Sequence, residues 1–369
     1  MATTNFSNLT AEQLTVWSRD VWRFARNNAF LNRFLGAGPG AMIQRVDELT
    51  KTKKGARAVI TLVADLQGDG VVGDRTLEGN EEAMTSSDQV IQLDQMRNGE
   101  KHRGRMADQR SVVNFRENSR NTLAYWLADR MDQLAFLVMS GVSFSNHTNG
   151  ATRVGSDFPF LDFAGDVKAP SANRYQRWDS VTSSLVAGNT AGVIAADTPT
   201  WNMLLQAKAY AKNHYIRPLR GEGGVNAYNV FMTPDGVAKL KQDPNFQSAW
   251  RNALPRAKDN PLFAGSDVVY VDGLAIYDFR HVYNTKGLAA GSKWGAAGAV
   301  DGQRVLLCGA QSMGFADIGA PEWIEKGFDY ENQQGISVAK ILGMLKPQFK
   351  TNDTQTVEDF GLLAIDTAI

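Results

Sequence analysis

Several residue groups in the chain have the types and spacings that chemistry uses. Gly68-Asp69-Gly70-Val71-Val72-Gly73 follows a predicted strand and matches the Gly-x-Gly-x-x-Gly spacing of a dinucleotide-binding turn. That chemistry needs a helix opening at the motif, so that free N–H groups and the helix dipole meet a pyrophosphate. The next residues, Asp74-Arg75-Thr76-Leu77-Glu78-Gly79-Asn80, bring another glycine and acids that repel phosphate, so the stretch reads as a flexible turn. Asp69, Asp74, Glu78, Glu81 and Glu82 carry the carboxylates a hard cation wants, but their spacing fits no EF-hand loop. The simpler reading is an acidic loop that meets a basic surface on a neighbouring subunit.

The remaining candidates are weaker. His102, His147, His214 and His281 stand singly, without the i, i+4 pairing that zinc sites on helices use. Gly309-Ala310-Gln311-Ser312-Met313-Gly314 places its serine one residue too late for a nucleophile elbow. Cys308 follows Val305-Leu306-Leu307 and reads as a small buried strand residue; as the single cysteine it excludes an intrachain disulfide. Arg97, Lys101, His102, Arg103, Arg105 and Arg110 form a basic cluster without interleaved aromatics, which favours a salt-bridging contact surface over a single-stranded nucleic-acid site. No catalytic, cofactor or metal residue is assigned.

The elements that would carry these residues can be read from periodicity. Thr10 to Leu35 reads as an amphipathic helix, with Leu14, Trp17, Val21 and Phe24 on one face and a terminator in Gly36-Ala37-Gly38-Pro39-Gly40. Its aromatic residues, Trp17 and Trp22 among them, need something to dock on, since large exposed apolar patches are rare in monomers. Ala58 to Val63 and Val90 to Leu93 read as two strands joined by the glycine-rich acidic connection, a ribbon with little core of its own. From Asp108 to Ser140 a long helix is expected, its stripe formed by Leu123, Leu127, Met131, Leu134 and Val138, with Gly141 as its end. Gly150 to Pro199 reads as loop-rich. Trp201 to His214 and the stretch from Pro234 read as helices. Strands are expected at 228–232, 268–271, 274–277 and 304–307, with a hairpin turn at Asp272-Gly273 and a last strand at 336–343. The fold class is α+β.

Composition sets the outer bounds. The 369 residues suffice for two or three domain-sized units, and 43% hydrophobic with 21% charged residues is the balance of an ordinary folded protein. Lys+Arg and Asp+Glu are equal at 39 each, which argues against a polyelectrolyte partner gripped mainly by excess positive charge and leaves room for a local basic face. Met1 to Phe6 has no secretory pattern, and the uncharged run Gln133 to Thr152 is too polar for a bilayer. A soluble protein made in the cytoplasm is expected.

Asp47-Glu48-Leu49-Thr50-Lys51, then Gly68 to Asp74, then Leu77-Glu78-Gly79-Asn80-Glu81-Glu82, closely resemble the major capsid proteins of one tailed-bacteriophage family. The resemblance continues through Met106-Ala107-Asp108-Gln109-Arg110 and Trp126-Leu127-Ala128-Asp129-Arg130 and runs nearly end to end. It implies a Hong Kong 97-like fold: an N-terminal arm at 1–45, an extended β-loop at 46–104, a peripheral domain at 105–195 with a spine helix at 108–140, an axial domain at 196–329, and a return to the peripheral domain at 330–369.

The function so implied is structural: self-assembly as pentamers and hexamers into the icosahedral head that encloses the double-stranded DNA of a tailed phage, with no enzymatic activity and no cofactor. The implied partners are other copies of the chain, a separate scaffolding protein, a portal and, as an option, a decoration protein. Packaged DNA would be touched only weakly and non-specifically, and no membrane is involved. The protein would reside in the virion after assembly in the host bacterial cytoplasm. Inter-subunit contacts are expected from Trp17, Trp22 and Phe24 on the arm and from Gly70, Asp74, Glu78, Glu81 and Glu82 on the loop. The alternatives are an encapsulin-like nanocompartment shell, which shares the fold class, and a nucleotide-dependent enzyme built around Gly68 to Gly73.

Overall fold

Phe115 to Ser140 forms one α-helix of 26 residues, about 39 Å long at 1.5 Å per residue. Along its first half the apolar stripe faces inward through Leu123, Ala124 and Leu127; from Met131 to Ser140 every residue is buried, so the helix passes from a surface into the interior. It ends in a Schellman motif. Gly141 takes φ +66°, its N–H bonds to the Val138 carbonyl, and the Val142 N–H reaches back to Leu137. In this computed structural model the described residues are 25, 29–46, 55, 57–63, 68–82, 86–110, 115–220, 226–253, 268–350 and 356–369.

Two sheets flank the helix. One runs in the order Leu35–Gly36, Ile43–Val46, Met313–Asp317, Gln333–Leu345, Glu322–Phe328, with Asp94–Lys101 also pairing along Gln333–Leu345. The long strand is thus the sheet's axis, and at Leu342 it meets both Asp94 and Asp317 in register. The other sheet runs Val268–Val271, Leu274–Asp278, Asn226–Met232, Gly302–Cys308, Leu362–Ala368, Tyr175–Asp179, Ser184–Ala187, with Leu219–Arg220 beside Asn226–Met232. Its inner strands, Gly302–Cys308 and Leu362–Ala368, are buried along their whole length. Trp201–Asn213 and Pro234–Gln242 cover one face, each opened by a threonine N-cap, Thr200 and Thr233, whose hydroxyl accepts a backbone N–H. Phe30, Phe34 and the long helix lie in the core cluster on the other.

The ribbon is Arg57–Val63 paired antiparallel with Ser86–Gln92. Its root is not without a core. Ala58, Ile60, Ile91 and Leu93 are buried against Val46, Ala316, Leu345 and Phe349 of the same chain. Two glycines make that approach possible: a Cβ on Gly343 would stand 2.2 Å from the Gln92 carbonyl, and one on Gly314 would press on Ile91 and Ile60 at 3.1 and 3.3 Å.

Several expectations need correction. The amphipathic helix does not reach Leu35, because Leu31–Phe34 is a 3-10 turn and Leu35–Gly36 a short strand; its earlier residues up to Phe24 lie outside the described residues. The helix expected over 108–140 divides into Arg105–Gln109 and Phe115–Ser140, with 111–114 outside the described residues. The region read as loop-rich contains the strands Tyr175–Asp179 and Ser184–Ala187. Their polar, charged composition hid a clear alternation in which Gln176 and Trp178 point inward. The last strand is Leu362–Ala368, well beyond 336–343.

Candidate assembly surfaces

The connection between the ribbon strands, residues 68–82, is built of turns and extended chain. Gly70, Gly73 and Gly79 take φ of +72°, +70° and +87°, a region in which only glycine is unstrained. After Gly68–Gly73 come turns and no helix through residue 82, so the geometry a pyrophosphate needs is missing. The Glu82 carboxylate accepts the Gly68 N–H at 2.6 Å and so staples the two ends of the connection, while Glu81 accepts the Gly79 N–H at 2.8 Å. Gly70, Asp74, Glu78, Glu81 and Glu82 are all exposed, and so are Val72 at 77% and Leu77 at 58%. The connection therefore projects carboxylates and apolar side chains together. Trp17, Trp22 and Phe24 lie outside the described residues.

A basic strip lies on the six-stranded sheet. In Asp94–Lys101 the pleat sends Met96 inward and Arg97 and Lys101 outward, and Arg103, Arg105 and Arg110 continue the exposed cluster. Lys101 and Lys326 both stand over the Phe328 ring, at 4.5 and 5.2 Å from its centroid. The strip and the acidic connection carry opposite charge and are both open to solvent.

The other chemical candidates serve the fold. Cys308 is wholly buried, and burial pushes its thiol up to about 12, so it is not a nucleophile near neutral pH. The Ser312 hydroxyl lies 2.8 Å from the carbonyls of both Gly309 and Gly361. His281 lies 2.7 Å from Asp129, and burial holds its imidazole below the ordinary value. Burial raises the Asp129 carboxyl, but His281, Arg280 and Arg130 outweigh that and hold it below the ordinary carboxylate value. Among the described residues, no three metal-ligating side chains gather, and no helix is long and apolar enough to cross a membrane.

Long-range ionic contacts that no sequence spacing announces hold the frame. Arg304 donates from Nε to one Asp366 oxygen at 2.8 Å and from Nη2 to the other at 3.0 Å, and the Tyr175 hydroxyl lies 2.5 Å from Asp366. Burial opposes the guanidinium charge, yet Asp366 outweighs it and holds Arg304 above its ordinary value. Lys346 and Asp359 pair at 2.9 Å with both side chains fully buried, and Lys340 pairs with Asp317 at 2.5 Å. Arg116, at the start of the long helix, grips Glu325 bidentately at 3.0 and 2.6 Å. These pairs span from 13 residues to more than two hundred, so only the fold brings them together.

A long helix lying between two sheets, with a ribbon thrown outward from one of them, is the Hong Kong 97-like architecture of capsid subunits. Solved capsids share it: that of Ralstonia phage GP4 superposes with a TM-score of 0.75 at 23% identity, covering 100% of this chain and 95% of that one. The cyanophage Pam1 capsid gives 0.70 at 17% identity, covering 100% and 96%. Residues 5–369 match the family model for phage capsid protein. The major capsid protein of Pseudomonas phage KPP25 is 59% identical over 367 residues, 99% of this chain and 97% of that protein. The chain belongs to the phage capsid protein family. These matches favour a phage head over a nanocompartment shell.

Proposed function

We propose that copies of this chain associate as pentamers and hexamers and close into the icosahedral head around the double-stranded DNA of a tailed phage. The observation that carries the reading is the connection at 68–82, which exposes Val72 and Leu77 beside five carboxylates and has no core of its own. Exposed apolar side chains of this kind mark a surface to be covered. In this reading the acidic connection of one copy lies against the basic strip of Arg97, Lys101 and Arg103 on the next. Interfaces that repeat head to tail close into rings.

The regions follow the same reading: an arm at 1–45, an extended loop at 46–104, a peripheral domain at 105–195 around the spine helix, an axial domain at 196–329 and a peripheral return at 330–369. Sheet membership supports one adjustment. Met313–Phe328 goes with the peripheral sheet, while Tyr175–Ala187 and Leu362–Ala368 go with the axial one. Trp17, Trp22 and Phe24 would make arm contacts, and Gly70, Asp74, Glu78, Glu81 and Glu82 loop contacts. A separate scaffolding protein and a portal complete assembly in the host cytoplasm, with a decoration protein as an optional addition. The work is done by surfaces, so no reaction step is assigned to any residue.

The test reverses charge on the loop. Glu81→Lys with Glu82→Lys is expected to abolish closed particles while leaving the subunit's circular dichroism and thermal transition in place. Normal particles from that double variant would remove the loop's assigned role.

A further inference from the structure

We propose that docking of residues 29–34 onto the long helix is coupled to a proton on Asp132, the segment being held more tightly when that carboxyl is neutral. Asp132 is 4% exposed, and its two oxygens accept the backbone N–H groups of Phe30 at 2.8 Å and Leu31 at 3.1 Å. These are the first N–H groups of the 3-10 turn Leu31–Phe34, which has no side-chain cap of its own. Asp132 thus caps, from a hundred residues away in sequence, the segment that leads back to the N-terminus. The segment also covers the carboxylate: Ala29, Leu31, Asn32 and Leu35 line one side of the pocket around it. Withdrawing residues 29–34 would open Asp132 to water.

The surroundings determine which protonation state docking prefers. From the sheet, Ile43, Met313, Phe315 and Met344 face the pocket, and none carries charge. On the same helix Asp129 adds negative charge. Across from it Arg280 helps Asp132 a little, but that guanidinium pairs with Asp129, as does His281. On the docked segment Arg33 lies over the Phe30 ring, 4.9 Å from its centroid. Among the described residues, Asp132 has no cation of its own. Burial raises its carboxyl to about 7, against the opposing pull of the two N–H bonds.

The sign follows from linkage. With the segment docked, burial raises the carboxyl to about 7; with the segment withdrawn the group regains water and falls back toward the ordinary carboxylate range. Docking therefore takes up a proton between those limits and strengthens as pH falls below 7, by up to about tenfold per pH unit, and is flat above 7. His281, whose imidazole lies below its ordinary value, titrates on the acid side and acts through Asp129, so a variant at Asp132 separates the two.

Hydrogen exchange of the purified full-length chain between pH 5 and 8, corrected for intrinsic rates, reads this directly. Protection at the Phe30 and Leu31 amides should be level above pH 7 and rise below it, while amides 134–139 of the long helix stay unchanged. Asp132→Asn, which cannot titrate, should remove the rise. A wild-type profile that is flat or falls in acid overturns the proposal without any variant, and so does an unchanged rise in Asp132→Asn.

Discussion

Arg304 donates a 2.8 Å hydrogen bond from Nη1 to the carbonyl of Ser140, the last residue of the long helix, while its other nitrogens hold Asp366. One buried guanidinium therefore ties the helix C-terminus to two central strands of the eight-stranded sheet. A cation suits that place, because the last carbonyls of a helix have no partners within it and carry the negative end of its dipole. Removing one member of such a buried pair leaves the other uncompensated. Arg304→Leu should cost about 3–5 kcal/mol of stability. Arg304→Lys should also destabilise, since a single ammonium cannot reproduce the forked contact. Denaturant unfolding of the purified subunit checks both; a loss under about 0.5 kcal/mol for the leucine variant would mean the pair does not hold the helix to the sheet.

The ribbon's aim depends on a glycine. Gly343 lies under the ribbon root, where an added methyl would stand 2.2 Å from the Gln92 carbonyl and 2.9 Å from Ile91. Backbone cannot yield there as a flexible side chain could. Gly343→Ala should cost about 1–3 kcal/mol through overpacking and tilt the ribbon away from the sheet. Exchange at the Ile60 and Ile91 amides should quicken more than exchange in the eight-stranded sheet. Equal effects in both places would argue against a local action.

If opposite charges join neighbouring copies, a charge swap should restore what a single reversal removes. Arg97→Glu with Lys101→Glu should block particle formation, as Glu81→Lys with Glu82→Lys does. Combining all four changes in one chain should recover particles, with the salt sensitivity of exposed ion pairs retained. If each reversal blocks assembly and the combination recovers nothing, loop and strip are not partners.

Much of this architecture was legible in the sequence, for identifiable reasons. Val268–Val271 and Leu274–Asp278 are readable because apolar, strand-favouring runs flank Asp272-Gly273, and both turn residues take positive φ, as a two-residue hairpin requires. The long helix was readable from its stripe, but its exact start was not, because Arg105–Gln109 and Phe115–Ser140 have similar composition. Tyr175–Asp179 is hard to read as a strand because its inward alternation is carried by Gln176 and Trp178 among polar residues, and one of its two neighbours, Leu362–Ala368, is distant in sequence. The glutamates of the connection are expected contacts; that Glu81 and Glu82 also brace their own loop depends on the turns at Gly73 and Gly79, which bring Gly68 and Gly79 to them. No local spacing marks Asp132 as a cap for a distant segment. Only the return of Phe30 and Leu31 to the long helix makes it a cap.

The central claim is self-assembly, and negative-stain electron microscopy of the purified protein over a concentration series, with size exclusion alongside, tests it most directly. Rings of five or six, sheets or closed shells are expected to appear as concentration rises, alone or once a scaffolding protein is added. A protein that stays monomeric at every concentration and with the scaffolding protein present would contradict the account.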